Sequence, residues 1–224
     1  MLALPDHGFV LLSLTKSGST SLDHSGALKS RASITLRRDP RLKHVTYRQF
    51  EEHVVPLLAL SGYPRESYEV VTIVRDPVDW LVSWWRYRSR PGLEQGERRH
   101  RWTGDMTFAE FAHGFLDGRL ADDPVDVRPA AFVAAADGTL GVDRLFALPR
   151  QDLWAGWLGE RIGKDLEVPH RNTSRERRDP ELTDDLVAAL TRRMQDDVAV
   201  WRLVAGSGEW SGDRDRRPVV LPGA

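Results

Sequence analysis

A chain of 224 residues with a formal net charge of -1 is long enough for one α/β domain with a full core. Its balanced charge argues against a general nucleic-acid or membrane-surface binder, and the absence of cysteine excludes a disulfide framework, a thiolate nucleophile and Cys-ligated zinc. Asp6 and a first strand reached by Gly8 leave no room for a signal peptide, and no uncharged apolar run could span a bilayer, so a cytoplasmic protein is expected.

Phe9, Val10, Leu11 and Leu12 form an unbroken apolar run, the pattern of a strand buried on both faces of a parallel sheet. A polar loop, Thr15 to Ser21, follows, and Leu22 to Leu28 suits a helix. Alternating Ala32, Ile34 and Leu36 suggest a short strand ahead of a basic turn through Arg37, Arg38, Asp39 and Pro40. His44-Val45 reads as a strand end. Thr46 and Gln49 form a capping box for a helix through Phe50, Val54 and Leu58, which Pro56 should kink.

Tyr68 to Val74 is the second buried-strand signal, and Asp76-Pro77 supplies an N-cap with proline at the first helical position. Val78, Leu81, Val82 and Trp85 make the core-facing stripe of that helix, which leaves Trp80, Trp84 and Tyr87 as additional aromatic surface. Residues 86–101 are rich in Gly and Arg without apolar periodicity and read mostly as a mobile loop. Thr107 and Glu110 cap a helix to about Leu116. Asp137-Gly138 predicts a hairpin over Ala131 to Phe146. Helices are expected around 150–162 and 180–204, the latter capped by Asp179-Pro180, and the polar, Pro-rich tail from Gly212 is expected to fray. The expectation is one domain over 1–224, a three-layer α/β fold with a mainly parallel central sheet flanked by helices.

Two stretches carry chemistry. In the first, a strand, a loop and a helix N-terminus present unpaired backbone N–H groups and roughly half a positive charge of helix dipole. Gly18 permits close backbone approach, Lys16 adds a full charge, and Ser17, Ser19, Thr20 and Ser21 carry hydroxyl donors. A phosphate fits such a loop, and so does a plain Ser-rich helix cap with a solvated lysine. The lysine precedes the glycine, unlike in the nucleoside triphosphatase P-loop. In the second stretch, Val74-Arg75-Asp76-Pro77, an arginine ends a strand where α/β proteins bind ligands, with Ser83 less than two turns into the next helix. Arg75 suits a phosphate there, or an acidic partner of its own.

Strand, Lys-Ser-Gly-Ser-Thr-Ser, helix resembles the 5′-phosphosulfate loop of sulfotransferases that use 3′-phosphoadenosine 5′-phosphosulfate (PAPS), with Thr15 where these loops usually carry proline. T-I-V-R-D-P-V-D-W-L-V-S-W-W-R-Y resembles their 3′-phosphate motif, particularly in the carbohydrate type, with Trp80 where relatives often have arginine. Lys43-His44-Val45-Thr46-Tyr47 and Phe50 are similar to the segment of uronosyl 2-O-sulfotransferases that carries the catalytic histidine. His44 falls on that histidine, and Leu42 stands in place of a second one. His170 to Arg175 resembles a polar loop that lies against the nucleotide.

The resemblance implies a P-loop-like sulfotransferase fold and direct in-line transfer of a sulfuryl group from PAPS to a hydroxyl acceptor, a sugar or other small molecule. PAP is then the product, and neither a metal nor a covalent enzyme intermediate takes part. It places Lys16, Ser17, Gly18, Ser19, Thr20 and Ser21 on the 5′-phosphosulfate, Arg75 and Ser83 on the 3′-phosphate, and Arg175 on the nucleotide. Lys16 would stabilise the leaving phosphate and His44 would take the acceptor proton. The rivals are an adenosine-phosphate-binding module or lapsed enzyme, and a kinase-like transferase, for which no Walker lysine or Asp-rich magnesium site is evident. Neither nucleic acid nor membrane is an expected partner.

Overall fold

The computed structural model describes residues 1–19, 22, 25–35, 43–95, 99–120, 127–168, 178–212 and 219–221. Strands β1 (Leu2–Leu4), β2 (Phe9–Leu12), β3 (Ile34–Thr35), β4 (Glu69–Val74), β5 (Arg144–Ala147) and β6 (Glu209–Ser211) form one sheet in the order β3-β1-β2-β4-β5-β6. Parallel pairing is confined to the middle, β2 with β4 and β4 with β5, while β1, β3 and β6 pair antiparallel. The sheet is therefore mixed, with a parallel centre.

The helices are α1 (Gly26–Lys29), α2 (Tyr47–Gln49), α3 (Val55–Leu60), α4 (Pro77–Arg88), α5 (Phe108–Leu116), α6 (Pro129–Val133), α7 (Gln151–Ile162), α8 (Asp184–Arg193) and α9 (Gln195–Ala205). Among the described residues no helix is long and apolar enough to cross a membrane.

Alternation along the strands sorts the core into two faces. Val10, Leu12, Val70, Val74, Leu145 and Ala147 pack with residues of α2, α3, α6 and α9. Phe9, Leu11, Val71, Ile73 and Phe146 pack with Leu28 of α1 and with Trp154, Leu158 and Ile162 of α7. Helices thus cover both faces, which is why β2 is apolar throughout and β4 departs from that pattern only at Glu69 and Thr72. A third cluster joins α4, α5 and α8 through Trp80, Trp85, Phe108, Phe111 and Leu190.

Several expectations change. His44 lies in the turn before α2 and not at a strand end. The capping box at Thr46 and Gln49 is present, and the turn after α2 is a π-helix, Phe50–Val54, that leads into α3 with Pro56 in its first turn. Widening the helix there relieves the proline of an i−4 partner that it cannot bond. Trp80 and Trp84 are buried, because α4 packs on more than one side. α4 extends to Arg88, itself buried, and short 3-10 turns follow at Pro91–Leu93 and Arg99–Arg101, so the stretch is only partly loop.

The hairpin over 131–146 reduces to a turn. Pro129 starts α6, which claims Phe132 and Val133, and the Asp137-Gly138 turn is closed by one bridge, Ala134 to Leu140. The long C-terminal helix breaks at Met194, and α8 is capped by Thr183 in place of Asp179. The break buries Met194 and lets Asp197 accept a hydrogen bond from the Ala130 N–H at 2.8 Å, beside Arg128 at 3.3 Å. Burial pushes the Asp197 carboxyl up. Part of the tail docks: Val220 bridges Thr139, and Leu221 is buried.

Candidate functional site

The chain leaving β2 travels to β3 on one side of the sheet, whereas the chain leaving β4 travels to β5 on the other. Between two parallel strands whose connections diverge there is a crevice at their carboxyl ends, the usual ligand site of α/β sheets. The Ser13–Ser19 loop follows β2 there, and Arg75 directly follows β4.

Lys16 holds a left-handed backbone, φ 60°, and so does Gly18, φ 78°. For a lysine this conformation costs about 1–2 kcal/mol, an outlay that the surrounding contacts must offset. The Thr15 carbonyl accepts a hydrogen bond from Trp80 Nε1 at 3.0 Å, and the Leu12 carbonyl accepts one from Thr72 Oγ1 at 3.0 Å. Trp80, the residue that replaces arginine in the resemblance, therefore clamps the loop backbone. Trp80→Phe should loosen the loop and leave that buried carbonyl unsatisfied, lowering stability by about 1–3 kcal/mol in denaturant titration. An unchanged midpoint would show that the clamp contributes nothing.

Lys16 Nζ sits 4.1 Å from the centroid of the Tyr87 ring and 5.5 Å from that of Trp84. Arg90 lies over the same Tyr87 ring, its guanidinium 5.0 Å from the centroid. Burial, then the charges of Arg90 and Arg75, push the Lys16 ammonium down to about 7. Burial also holds the Arg75 guanidinium below its usual range, helped by Arg86 and opposed by Asp79 and Asp76. Among the described residues neither Lys16, Arg75 nor Arg90 has a hydrogen-bonded or ion-paired acid. Burial and neighbouring cations disfavour the charged form of Lys16, and Asp79 and Asp76 offset the same effect in part at Arg75, so the site is one that an anion stabilises.

The hydroxyls of the loop turn elsewhere. Ser17 and Ser19 line a small internal cavity of about 10 Å³ with Ser13, Leu22 and Ile73, room for one water. The buried hydroxyls of Thr15 and Ser17 have no hydrogen-bond partner among the described residues. Gly18 is tight as well as left-handed, since a Cβ there would lie 3.0 Å from Leu148 Cδ1 beyond β5.

His44 is half-buried, and its Nδ1 lies 2.6 Å from the Ser13 carbonyl, three residues before Lys16. A carbonyl only accepts, so Nδ1 carries a proton and donates it to Ser13. Ser83 is half-buried on α4, four residues past Asp79 and so on the same helix face. Thr20, Ser21 and Arg175 lie outside the described residues. Arg178, just beyond, is tied down: its Nη2 donates to the Met106 carbonyl at 2.8 Å, its guanidinium covers Trp85 at 4.4 Å, and its carbonyl accepts from Arg86 Nε and Nη2.

No protein-family model matches the chain, and neither a curated protein nor a solved structure does. Function must therefore be argued from the site.

The structure joins Lys16 and Arg75, named from sequence, with Arg90, which sequence offers only among the arginines of 86–101 as part of an anionic-acceptor site, a cofactor lid or a plain charged loop, and with Tyr87, read there as aromatic surface. Arg90 was one of several arginines after α4, and only the fold singles it out. Among the described residues no group of His, Asp and Glu is placed to hold a metal ion.

Proposed function

We propose that this chain is a PAPS-dependent sulfotransferase of a P-loop-like fold, moving a sulfuryl group from PAPS to the hydroxyl of a sugar or other small molecule and releasing PAP. The observation that carries this most is the cation cluster of Lys16, Arg75 and Arg90 at the carboxyl ends of β2 and β4. PAPS brings a dianionic 3′-phosphate and a phosphosulfate, enough negative charge to neutralise all three. The motif order of the sequence adds the division of labour, with Lys16 at the phosphosulfate and Arg75, with Ser83, at the 3′-phosphate.

In the proposed reaction the acceptor oxygen attacks sulfur while the bond from sulfur to the bridging phosphate oxygen breaks. His44 Nε2 takes the acceptor proton, and the Lys16 ammonium meets the charge that builds on the departing phosphate. Low solvent access around Lys16 strengthens that interaction.

Nucleotide binding tests the assignment. The wild type should bind PAP far more tightly than the same nucleotide without its 3′-phosphate. Arg75→Ala should weaken PAP by about 1.5–3 kcal/mol, roughly 10- to 150-fold, through loss of a charged hydrogen-bond partner. Calorimetry with both nucleotides decides it. Equal wild-type affinity for the two would remove the reason to call this a PAPS site, and tight binding without transfer to any hydroxyl acceptor would mark a binding module.

A further inference from the structure

One face of α4 holds Lys16 at both ends. Trp80, Trp84 and Tyr87 stand at i, i+4 and i+7 on that helix, so their rings follow one another along a single face. Trp80 and Trp84 meet edge to face with centroids 6.2 Å apart, and Trp84 and Tyr87 do so at 5.8 Å. The first ring of this ladder, Trp80, donates to the Thr15 carbonyl, in the peptide that leads into Lys16. The last two take the side chain, with Nζ 4.1 Å from the Tyr87 centroid and 5.5 Å from that of Trp84. The left-handed backbone of Lys16 is a strained one, and these contacts at its two ends are what hold it.

Rings suit an ammonium that has to meet an anion. The face of an aromatic ring is negative and attracts a cation, yet it leaves the charge of that cation available, whereas a carboxylate in the same place would pair with Lys16 and compete with a phosphate. Of the two rings Tyr87 is the nearer and is only half-buried, while Trp84 is packed into the cluster that joins α4, α5 and α8. Ser83 lies one turn before Tyr87 on the same helix, so a lysine held on Tyr87 is also held in register with Ser83.

We propose that Tyr87 is a positioning residue whose ring face holds the Lys16 ammonium in the crevice between β2 and β4, where charge builds on the departing phosphate. For its effect on turnover the proposal rests on the transfer reaction proposed above; the placement of Lys16 rests on the ring contacts alone. Without the ring the flexible lysine stem is free to leave that place, and a misplacement of about 1 Å can cost about 10²-fold in rate. Tyr87→Leu, which keeps an apolar side chain beside Trp84, should therefore lower kcat by roughly 10- to 100-fold and change KM for PAPS much less, because the charge that Lys16 meets is largest in the transition state. Tyr87→Phe keeps the ring face and should recover most of that loss.

The placement is measured on the full chain without nucleotide. Because the chain has four lysines, carbon-13 labelling of lysine gives one ε-methylene group to follow for each of the four in a proton–carbon correlation spectrum. The Lys16 signal, identified by its loss in Lys16→Met, should lie upfield of the other three, shifted by the ring currents of Tyr87 and Trp84. It should move towards them in Tyr87→Leu and stay displaced in Tyr87→Phe, and transfer kinetics are then measured on the same preparations. A wild-type Lys16 signal that coincides with the others, a signal unmoved in Tyr87→Leu, or a Tyr87→Leu protein that turns over like the wild type would each overturn the proposal. Loss of turnover in Tyr87→Leu that Tyr87→Phe does not recover would overturn it too, since the ring face would not be what matters. A displaced Lys16 signal that follows the ring, in a wild type that transfers nothing from PAPS, would uphold the placement and count against sulfuryl transfer, so the two failures are separable.

Discussion

His44→Ala should lower sulfuryl transfer by roughly 10²–10⁴-fold, about 3–5 kcal/mol of transition-state stabilisation, while nucleotide affinity changes little. The expectation rests on one hydrogen bond. Because Nδ1 donates to the Ser13 carbonyl at 2.6 Å, Nε2 is the nitrogen that would have to take the acceptor proton in the proposed reaction, and the ring is held by the same strand end that leads into the Lys16 loop. A structural role would also exploit that bond, since removing the ring leaves the carbonyl without its partner. Two measurements on one preparation separate the roles. His44→Gln can keep a donor to the Ser13 carbonyl but supplies no base, so it should restore stability in denaturant titration and leave turnover low. Recovery of turnover along with stability in His44→Gln, or near-normal turnover in His44→Ala, would sink the base assignment. Should His44 fail, Glu51 or Glu52, both exposed on the π-helical turn, is the acid that would serve as base in its place.

The centre of the sheet was legible because its residues answer to a single demand. β2 and β4 are covered on both faces, so β2 is apolar throughout and β4 departs only at Glu69, where it starts, and at Thr72, whose hydroxyl donates to the Leu12 carbonyl. The helix starts at Asp76, Thr46 and Thr107 were equally plain, since a cap is a local hydrogen bond between residues two or three apart. β1 and β6 were not legible. Leu2–Leu4 precedes a proline, and Glu209-Trp210-Ser211 is largely exposed, so each is defined by the neighbour with which it pairs and not by its own pattern.

At the site, the same distinction holds. Lys16 and Arg75 lie directly after the two strands that sequence identifies, so their meeting followed from the parallel pairing of β2 with β4. Arg90 and Tyr87 come to Lys16 through the docking of α4, whose burial on more than one side overrode the single apolar stripe read from its sequence. The inward turn of Ser17 and Ser19 likewise depends on the left-handed backbone at Lys16 and Gly18, a conformation that the sequence suggests only at the glycine.

Lys16→Met should lower transfer by about 10²–10³-fold, as removal of one preorganised group that meets developing charge does elsewhere. It should do so while making the free protein more stable at pH 6, a combination that ordinary misfolding cannot produce. The sign follows from the lowered value of about 7 for Lys16. In the unfolded chain the amine stays protonated to about pH 10.4, so between about 7 and 10.4 the unfolded state holds more protons and stability rises with pH. Below 7 the folded state carries an ammonium that burial, Arg90 and Arg75 all disfavour, and methionine removes that cost. A bound phosphate reverses the balance by favouring the charged form. Binding of PAP at pH 8 should therefore take up close to one proton per site in the wild type and none at this position in Lys16→Met. Affinity in the wild type should be greatest just below pH 7 and fall by up to about tenfold per unit above it, until the raised value of the complex is reached. Calorimetry in buffers of different ionisation heat measures the proton directly. Absence of proton uptake at pH 8, or a Lys16→Met protein that turns over like the wild type, would show that the Lys16 charge is not what the anion meets.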